Sequence, residues 1–184
     1  MERQPRPVKL IAAVLFADAA SFGDARDALQ HLFSPVDFQS EPVPFDYTDY
    51  YRAEMGAPLQ RVLLSFHRLV GPGTLASVKH ASRDLEDRMA ENGCRRVNID
   101  TGYLDMFKLV LASFKGRGNK IYLERGVWAD MTLYFTKRGF QTFPWTFPDF
   151  KSGLFHADLK RIREIYKAQL RGSGADPSAA EAKR

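Results

Sequence analysis

Three acidic side chains are the first residues in this sequence whose type and setting suit chemistry. Asp100 follows the alternating residues Asn98 and Ile99 and precedes a glycine, which predicts that it lies where a short strand ends. Functional groups are often presented from such a position, because the loop is held by a rigid sheet. The structural alternative is an aspartate that bonds the amides of the turn.

The other two acids belong to a predicted hairpin. Glu124 lies near its tip, and Asp130 alternates along a strand with aromatic residues. A buried carboxylate without a partner is too costly, so we expect Asp130 on a wet face or beside a partner. If the strands are neighbours, Asp100, Glu124 and Asp130 converge. Three carboxylates would then form an acid and base pair, or a site for Mg²⁺ or Mn²⁺ as cofactor.

The aromatic and charged segment 47–56 is a candidate ligand-binding region. Tyr50 and Tyr51 could stack on a base while Arg52 pairs with a phosphate. Equally, these side chains could pack a long connection onto the core, with Arg52 paired to an acid. Glu54 is a further candidate from the same segment.

Basic side chains supply the candidate contacts to a phosphate. Lys108, Lys115 and Arg125 could neutralise its charge, and Gly116 and Gly118 would let backbone amides approach it. A polar turn with lysines is the alternative, since neither the P-loop spacing nor the dinucleotide glycine pattern occurs. Tyr103, Trp145 and Asp149 complete the set of candidate ligand-binding residues.

Charge is distributed unevenly along the chain. Residues 18–54 carry eight acidic and two basic side chains, whereas residues 105–138 carry seven basic and three acidic ones. This polarity could steer an anionic ligand toward the second half. It could equally reflect two solvated faces.

The sequence disfavours several classes of site. The single Cys94 excludes an internal disulfide and a multi-cysteine zinc site. The four histidines have no metal-binding spacing. A conventional hydrolase is poorly supported, because no Gly-x-Ser-x-Gly motif is present.

Length and composition predict one α+β domain. A chain of 184 residues with 45% hydrophobic content fits a single core over residues 1–170, followed by a disordered tail over 171–184. No apolar stretch approaches the roughly 20 residues of a membrane span. The apolar run 10–17 suits a buried strand better than a secretion signal. We therefore expect a cytoplasmic protein without a membrane partner.

The order of predicted elements defines the fold class. Strands are predicted at 8–17, 36–44, 59–69 and 96–100, with one helix capped by Ser21 and another that begins after Thr74 and ends near Gly93. This β-α-β-β-α-β order is the ferredoxin-like, split βαβ arrangement, an antiparallel sheet with two helices on one face.

The rest of the chain is predicted to extend that sheet. The spacing of apolar residues predicts a helix over 104–114 and an amphipathic terminal helix over 154–170. Between them, 120–124 and 127–136 are predicted to form a C-terminal β-hairpin around Arg125 and Gly126. Residues 141–143 could extend the sheet, and the prolines of 144–150 exclude regular structure there.

Four segments together resemble a prokaryotic family of unknown function, DUF4416. They are Phe45–Gly56, Val97–Leu104, Lys108–Ser113 and Trp145–Phe150, within a resemblance that runs from about Lys9 to Gly153. Four spaced motifs in the same order imply one fold and indicate where the site lies. The family has no established activity, so the resemblance names no function.

This chain departs from the family pattern at two positions. A proline usually follows the aspartate where this chain has Thr101, and a histidine often precedes the hairpin strand where this chain has Asn119. If that histidine acts chemically in relatives, its absence here weakens an enzymatic interpretation. An acid at the position of Asp130 agrees with the pattern.

Three functional hypotheses follow. The preferred one is an enzyme or degenerate enzyme that binds a phosphorylated or nucleotide-like small molecule through the acids, lysines and aromatic rings named above. The second is an RNA-binding or regulatory module, although no RNP-type aromatic motif lies on the predicted strands. The third is a protein-interaction subunit that docks through the segment 144–148.

Overall fold

The computed structural model describes residues 5–173, which form an antiparallel β-sheet with helices on both faces. Nine strands occur within this part of the chain: β1 (Val8–Phe16), β2 (Val36–Gln39), β3 (Val43–Pro44), β4 (Gln60–Val70), β5 (Val97–Leu104), β6 (Lys108–Ser113), β7 (Ile121–Tyr122), β8 (Trp128–Thr136) and β9 (Gly139–Thr142). The five α-helices are α1 (Ala19–Leu32), α2 (Arg52–Met55), α3 (Leu75–Met89), α4 (Pro148–Lys151) and α5 (His156–Gly172). A 3₁₀ turn, Pro72–Thr74, precedes α3.

The strand order along the sheet is β2-β4-β1-β5-β6-β8-β7, with β3 also paired to β4 and β9 to β8. Neighbouring strands are antiparallel throughout. All nine residues of β1 are buried, because this strand has neighbours on both sides and layers on both faces. A strand covered on both faces appears in sequence as a continuous apolar run, as 10–17 does.

The two largest hydrophobic clusters of the described residues lie on opposite faces of the sheet. Leu10, Val14 and Phe16 of β1 pack with residues of α1 and α3, and we call this side the α1/α3 face. Ile11 and Ala13 point the other way and pack with residues of α4 and α5, on the α5 face. Successive residues of a strand point to opposite faces, so one strand supplies both cores.

The predicted helix over 104–114 is wrong, because this segment is a strand-turn-strand. The carboxylate of Asp105 accepts hydrogen bonds from the backbone amides of Phe107 and Lys108 at 2.7 and 2.8 Å. These bonds close a tight turn between β5 and β6. The apolar run Leu109–Ala112 is buried on both faces of the sheet, so its periodicity cannot distinguish a strand from a helix.

The prediction that Asp100 lies at the end of its strand is wrong. Asp100 lies inside β5, which continues to Leu104. Gly102 is a strand residue rather than part of a turn. A Cβ atom there would lie 2.2 Å from the carbonyl oxygen of Val110 and 2.8 Å from a side-chain carbon of Leu111, so the missing side chain permits close pairing with β6.

Helix ends also differ from prediction. Asp18, not Ser21, caps α1, since its side chain accepts a hydrogen bond from the Ser21 amide at 2.8 Å. Gly93 does not end α3 but forms a separate turn with Asn92, and both have positive φ, of 78° and 53°. Asn-Gly suits such a turn because both residues tolerate this backbone region.

Several predicted elements are confirmed. β7 and β8 form the expected hairpin, with Arg125 and Gly126 at positive φ in its turn. For the proline-rich segment 144–150, the expectation of no regular structure is wrong from Pro148 onward, because α4 begins there and proline suits the first turn of a helix. Helix α5 extends to Gly172, two residues beyond its predicted end, and the rest of the predicted tail from 174 onward lies outside the described residues. Within 5–173, no helix has the length and apolar character needed to cross a membrane.

Gly102→Ala is expected to lower the free energy of unfolding by about 1–3 kcal/mol, because the added methyl group must displace backbone of β6. Gly71→Ala is the matched control, since a Cβ at Gly71 would meet nothing within 4 Å. Denaturant unfolding of both variants checks this. Equal stability of the two variants would contradict the close approach of β5 and β6.

Candidate functional site

Arg61 joins three elements that are distant in sequence. Its side chain is 5% exposed and forms ion pairs with Asp149 of α4 and Asp100 of β5. The nitrogen–oxygen distance to Asp100 is 3.2 Å, and the bond to Asp149 links residues 88 positions apart. The guanidinium carbon also lies 4.5 Å from the centre of the Phe45 ring. A buried charge requires this kind of pairing, because desolvation without a partner is costly.

The register of β1 explains why these groups meet. Leu15 of β1 is paired with Arg61 on one side and with Asn98 on the other, and Ala13 is paired with Asp100. Directly opposed residues of antiparallel strands point to the same face. Arg61, Asn98 and Asp100 therefore lie together on the α5 face, beyond the area that α5 covers.

Asp100 has two further polar neighbours. Asn98 donates to its carboxylate at 3.2 Å, and the ammonium group of Lys79 lies 3.9 Å from its other oxygen. Lys79 belongs to α3 on the opposite face, and it also donates to the Ile99 carbonyl at 2.9 Å. It reaches this point because β6 pairs with β5 only over Gly102–Leu104 and leaves the earlier part of that edge open.

A second ion pair borders this group. The guanidinium of Arg95 donates to both carboxylate oxygens of Glu54, at 2.9 and 2.7 Å, and to the side chain of Asn98 at 3.1 Å. The hydrogen bonds from Arg95 hold the pKa of Glu54 below its usual value, and those to Glu54 raise the pKa of Arg95. This two-pronged geometry fixes the segment 52–55 against β5.

Two tyrosines and a lysine form the outer rim. Burial, followed by the charge of Asp100, raises the pKa of Tyr51 to about 12. Tyr50 is 61% exposed and meets Tyr51 edge-on, with ring centres 4.9 Å apart. The ammonium group of Lys115 lies 4.8 Å from the centre of the Tyr50 ring. The rim is thus aromatic and cationic.

We name these residues the Asp100 cluster. Its centre is Asp100, Arg61, Asp149, Asn98 and Lys79, and its rim is Arg95, Glu54, Tyr51, Tyr50 and Lys115. In the centre the Asp100 side chain is 30% exposed, whereas those of Arg61 and Asp149 are 5% exposed. Asp100 is therefore the central charge that a ligand can reach.

Glu86 of α3 supports β5 from the other face. Its side chain is 2% exposed and accepts a hydrogen bond from the Ile99 amide. Burial raises its pKa, while the neighbouring Lys79 charge acts in the opposite direction. Glu86 and Lys79 together satisfy the amide and carbonyl of Ile99, which the incomplete pairing of β5 leaves without strand partners.

The three predicted catalytic acids do not converge. Asp130 is buried and bonds the side chain of Asn119 at 2.9 Å, with Lys120 at 3.7 Å. Glu124 lies exposed in the hairpin turn. Within residues 5–173, no group of three or more His, Cys, Asp or Glu side chains is placed to hold a metal ion. The residues present do not fit the Mg²⁺ or Mn²⁺ site that the sequence suggested.

The predicted ligand-binding residues divide into two sets. Tyr50, Tyr51, Glu54, Lys115 and Asp149 belong to the Asp100 cluster. The others lie elsewhere, and each has its own setting.

Arg52 pairs with the exposed Asp49 at 3.1 Å, and the Arg125 carbonyl is bonded to the ring of His80. Tyr103 and Lys108 line a cavity at the far end of β5. Trp145 packs against Phe143, away from Asp100.

Sequence reasoning missed Arg61, Lys79 and Arg95. Arg61 shares its face of β4 with Leu63 and Ser65, both fully buried. An arginine on an apolar face is a signal of a buried ion pair, because both faces of such a strand are covered. The sequence around Lys79 and Arg95 contains no comparable signal of a buried ion pair.

The fold and the site define an α+β protein with an interlocked charged cluster on one sheet face. The family described as a domain of unknown function, DUF4416, matches residues 6–166, and the chain belongs to that family. No curated protein and no solved structure matches the chain. Of the four segments that carry the family resemblance, three contribute Glu54, Asp100 and Asp149 to the cluster.

Asp149→Ala is expected to lower the free energy of unfolding by about 3–5 kcal/mol, because it leaves the buried Arg61 without one of its two carboxylates. Asp49→Ala is the control, since Asp49 is 85% exposed in its pair with Arg52 and should change stability by less than about 0.5 kcal/mol. Urea unfolding measures both. A loss below 1 kcal/mol for Asp149→Ala would contradict the structural role of this pair.

Stability is expected to fall at alkaline pH. The pKa of Tyr51 is raised to about 12 in the folded chain, so its contribution is complete below the unfolded value of 10.0 and is lost as pH rises toward 12. Tyr51→Phe should flatten this decline, because a phenylalanine ring cannot ionise. Melting temperatures between about pH 8 and 11.5 check it, and identical curves for both proteins would refute the assignment.

Proposed function

We propose that the Asp100 cluster binds a small phosphorylated, nucleotide-like molecule, as an enzyme or degenerate enzyme would. The observation that carries this proposal is the setting of Asp100, which is held by Arg61, Asn98 and Lys79 and is still 30% exposed. A carboxylate fixed on several sides is oriented before the ligand arrives. Pre-organisation of this kind reduces the entropic cost of binding.

The chemistry of the rim indicates the parts of the ligand. The Asp100 and Glu54 carboxylates are partly exposed and can only accept hydrogen bonds, so they suit the hydroxyl groups of a sugar. The Tyr50 ring is exposed for stacking on a base, and Lys115 beside it would pair with a phosphate. A sugar, a base and a phosphate together make a nucleotide.

The buried charged residues of the cluster orient its carboxylates, whereas the more accessible residues contact the ligand. Both terminal nitrogens of Arg61 are occupied by Asp149 and Asp100, so Arg61 orients Asp100 and does not contact the ligand. Arg95 is likewise a positioning residue for Glu54, because two of its guanidinium nitrogens donate to that carboxylate.

We also infer that the first half of the chain has the ferredoxin-like, split βαβ arrangement within one domain. The elements β1-α1-β2-β4-α3-β5 and the strand order β2-β4-β1-β5 support this inference. β6–β9, α4 and α5 would then extend the same sheet. The lone Cys94 fits a reducing compartment and supports a cytoplasmic location.

A thermal-shift series on the full chain tests the site. We expect nucleoside monophosphates or triphosphates to raise the melting temperature without added Mg²⁺, since a ligand at 100 times its Kd adds about 2.7 kcal/mol. Asp100→Asn and Tyr50→Ala should each reduce this ligand-induced rise. Asp84→Asn, an exposed acid of α3, is the matched control and should respond as the wild type does.

Two outcomes would overturn the proposal. One is the absence of any shift with nucleotides and sugar phosphates in the wild type. The other is an equal shift in wild type, Asp100→Asn and Tyr50→Ala, which would place binding elsewhere. Because Tyr50 is largely exposed, Tyr50→Ala is expected to fold even if Asp100→Asn is unstable.

A further inference from the structure

The α1/α3 face of the sheet is open to solvent over β8 and β9. Lys108, Tyr134 and Gln141 are paired in register across β6, β8 and β9, and so share this face. Helix α3 reaches only as far as Val110 and Ala112. Beyond it, Tyr134 is 38% exposed, in a position where the middle of a sheet is normally covered.

Three aromatic rings form a continuous ladder on this open area. The ring centres of Tyr134 and Phe143 are 4.9 Å apart, and those of Phe143 and Trp145 are 4.8 Å apart with planes inclined by only 4°. The Trp145 indole nitrogen donates to the Met131 carbonyl at 3.1 Å, which fixes the outer ring. Trp145 remains 42% exposed, so its ring is held in place while part of it faces water.

Cations lie directly beside the ladder. A cavity of about 410 Å³ is lined by Tyr134 and Gln141 together with Lys137 and Arg138 of the β8–β9 turn. Both cations are exposed, and no carboxylate in the described part of the chain forms an ion pair with either. They are available to an anionic partner.

The positive character continues on the other side of Tyr134. Lys108, paired with Tyr134 in the sheet, borders a second cavity of about 440 Å³, which is also lined by Arg6 and Tyr103. Asp105 also lines that cavity and forms an ion pair with Lys108, so the cation of this cavity that has no ion pair among the described residues is Arg6. We call the aromatic ladder, together with the two cavities that Tyr134 and its sheet partner Lys108 border, the track.

We propose that this track binds single-stranded nucleic acid. Bases stack on the exposed rings of Tyr134 and Trp145, and the phosphates between them pair with Lys137 and Arg138. Aromatic rings accept any base because every base has a π-face, and a cationic groove follows the backbone. The site is separate from the Asp100 cluster and does not depend on the function proposed for it.

Charge complementarity favours nucleic acid over a protein partner. An apolar docking surface gains little from two exposed cations without ion pairs, whereas a phosphate backbone requires them. The segment 144–148, considered above as a protein-docking motif, is attached to its own sheet through Trp145 and Thr146, which bond the carbonyls of Met131 and Thr132. Its rings are therefore a fixed surface rather than a free peptide.

Fluorescence anisotropy with a labelled RNA of about 10 nucleotides, and with DNA of the same sequence, tests the proposal on the full chain. Wild-type affinity should fall steeply between about 50 and 300 mM salt. Removing two phosphate contacts with the double variant Lys137→Ala and Arg138→Ala should reduce the slope of log K against log salt by about 1.4. Trp145→Ala and Tyr134→Leu should each weaken binding roughly tenfold.

Two control variants remove a cation and an aromatic ring outside the track, to show that binding depends on this surface and not on any exposed cation or ring. Arg88→Ala removes an exposed cation of α3, and Tyr122→Ala removes an exposed ring paired with Trp128 on the α5 face. Both should bind as the wild type does. Tyr50→Ala should also bind RNA normally, because the exposed Tyr50 belongs to the Asp100 cluster, and this distinguishes failure of this proposal from failure of the nucleotide site.

Three results would overturn the proposal: no binding of either single strand, equal affinity for a duplex of the same length, or unchanged affinity in both aromatic variants. The second would indicate attraction by charge alone, because the bases of a duplex are already stacked. Tyr134→Leu keeps an apolar side chain on the ladder, so it tests stacking even if Trp145→Ala unfolds. A difference between RNA and DNA would assign the natural strand.

Discussion

The structure depends on one buried cation and its two acids. Arg61 is almost completely desolvated, and its guanidinium holds Asp100 on the sheet and Asp149 on α4. Removing either acid would leave part of a buried charge unpaired, which costs more than an intact pair contributes. This asymmetry favours a single arrangement in which α4 closes over the end of β4. The orientation of Asp100, on which any chemistry at the cluster rests, follows from it.

Incomplete pairing between β5 and β6 makes the cluster accessible. β6 pairs with β5 only over Gly102–Leu104. The amide and carbonyl of Ile99 precede this paired part and are therefore bonded by side chains of α3 instead of a strand. Lys79 thereby contributes charge from one face of the sheet to an acid on the other. The unpaired part of β5 gives polar side chains access to solvent in the middle of the sheet. The core is not exposed there, since β1 remains buried on both faces.

The two halves of the sheet use their faces differently. In the half around β1, helices cover both faces, and the buried charges are held in ion pairs, in the Asp100 cluster and between Lys9 of β1 and Asp37 of β2. In the half around β8, α5 covers one face, and the other carries the ladder of Tyr134, Phe143 and Trp145. A covered face builds a pre-organised site from buried ion pairs, and an open face offers flat rings and cations that have no ion pair within residues 5–173. The two proposed ligands differ for this reason.

The sequence by itself determined the elements whose periodicity is unambiguous: β1, the apolar stripe of α3, the hairpin at Arg125 and Gly126, and α5. It also identified Asp100, Tyr50, Tyr51, Glu54 and Asp149 as site candidates. Only the tertiary structure decided that Leu109–Ala112 is a strand, that Asp130 lies apart from Asp100, and that Arg61 joins residues 88 positions apart. The physical reason is that hydrophobic periodicity reports local burial. Strand register and long-range ion pairs are set by the packing of the whole sheet, which no local pattern encodes.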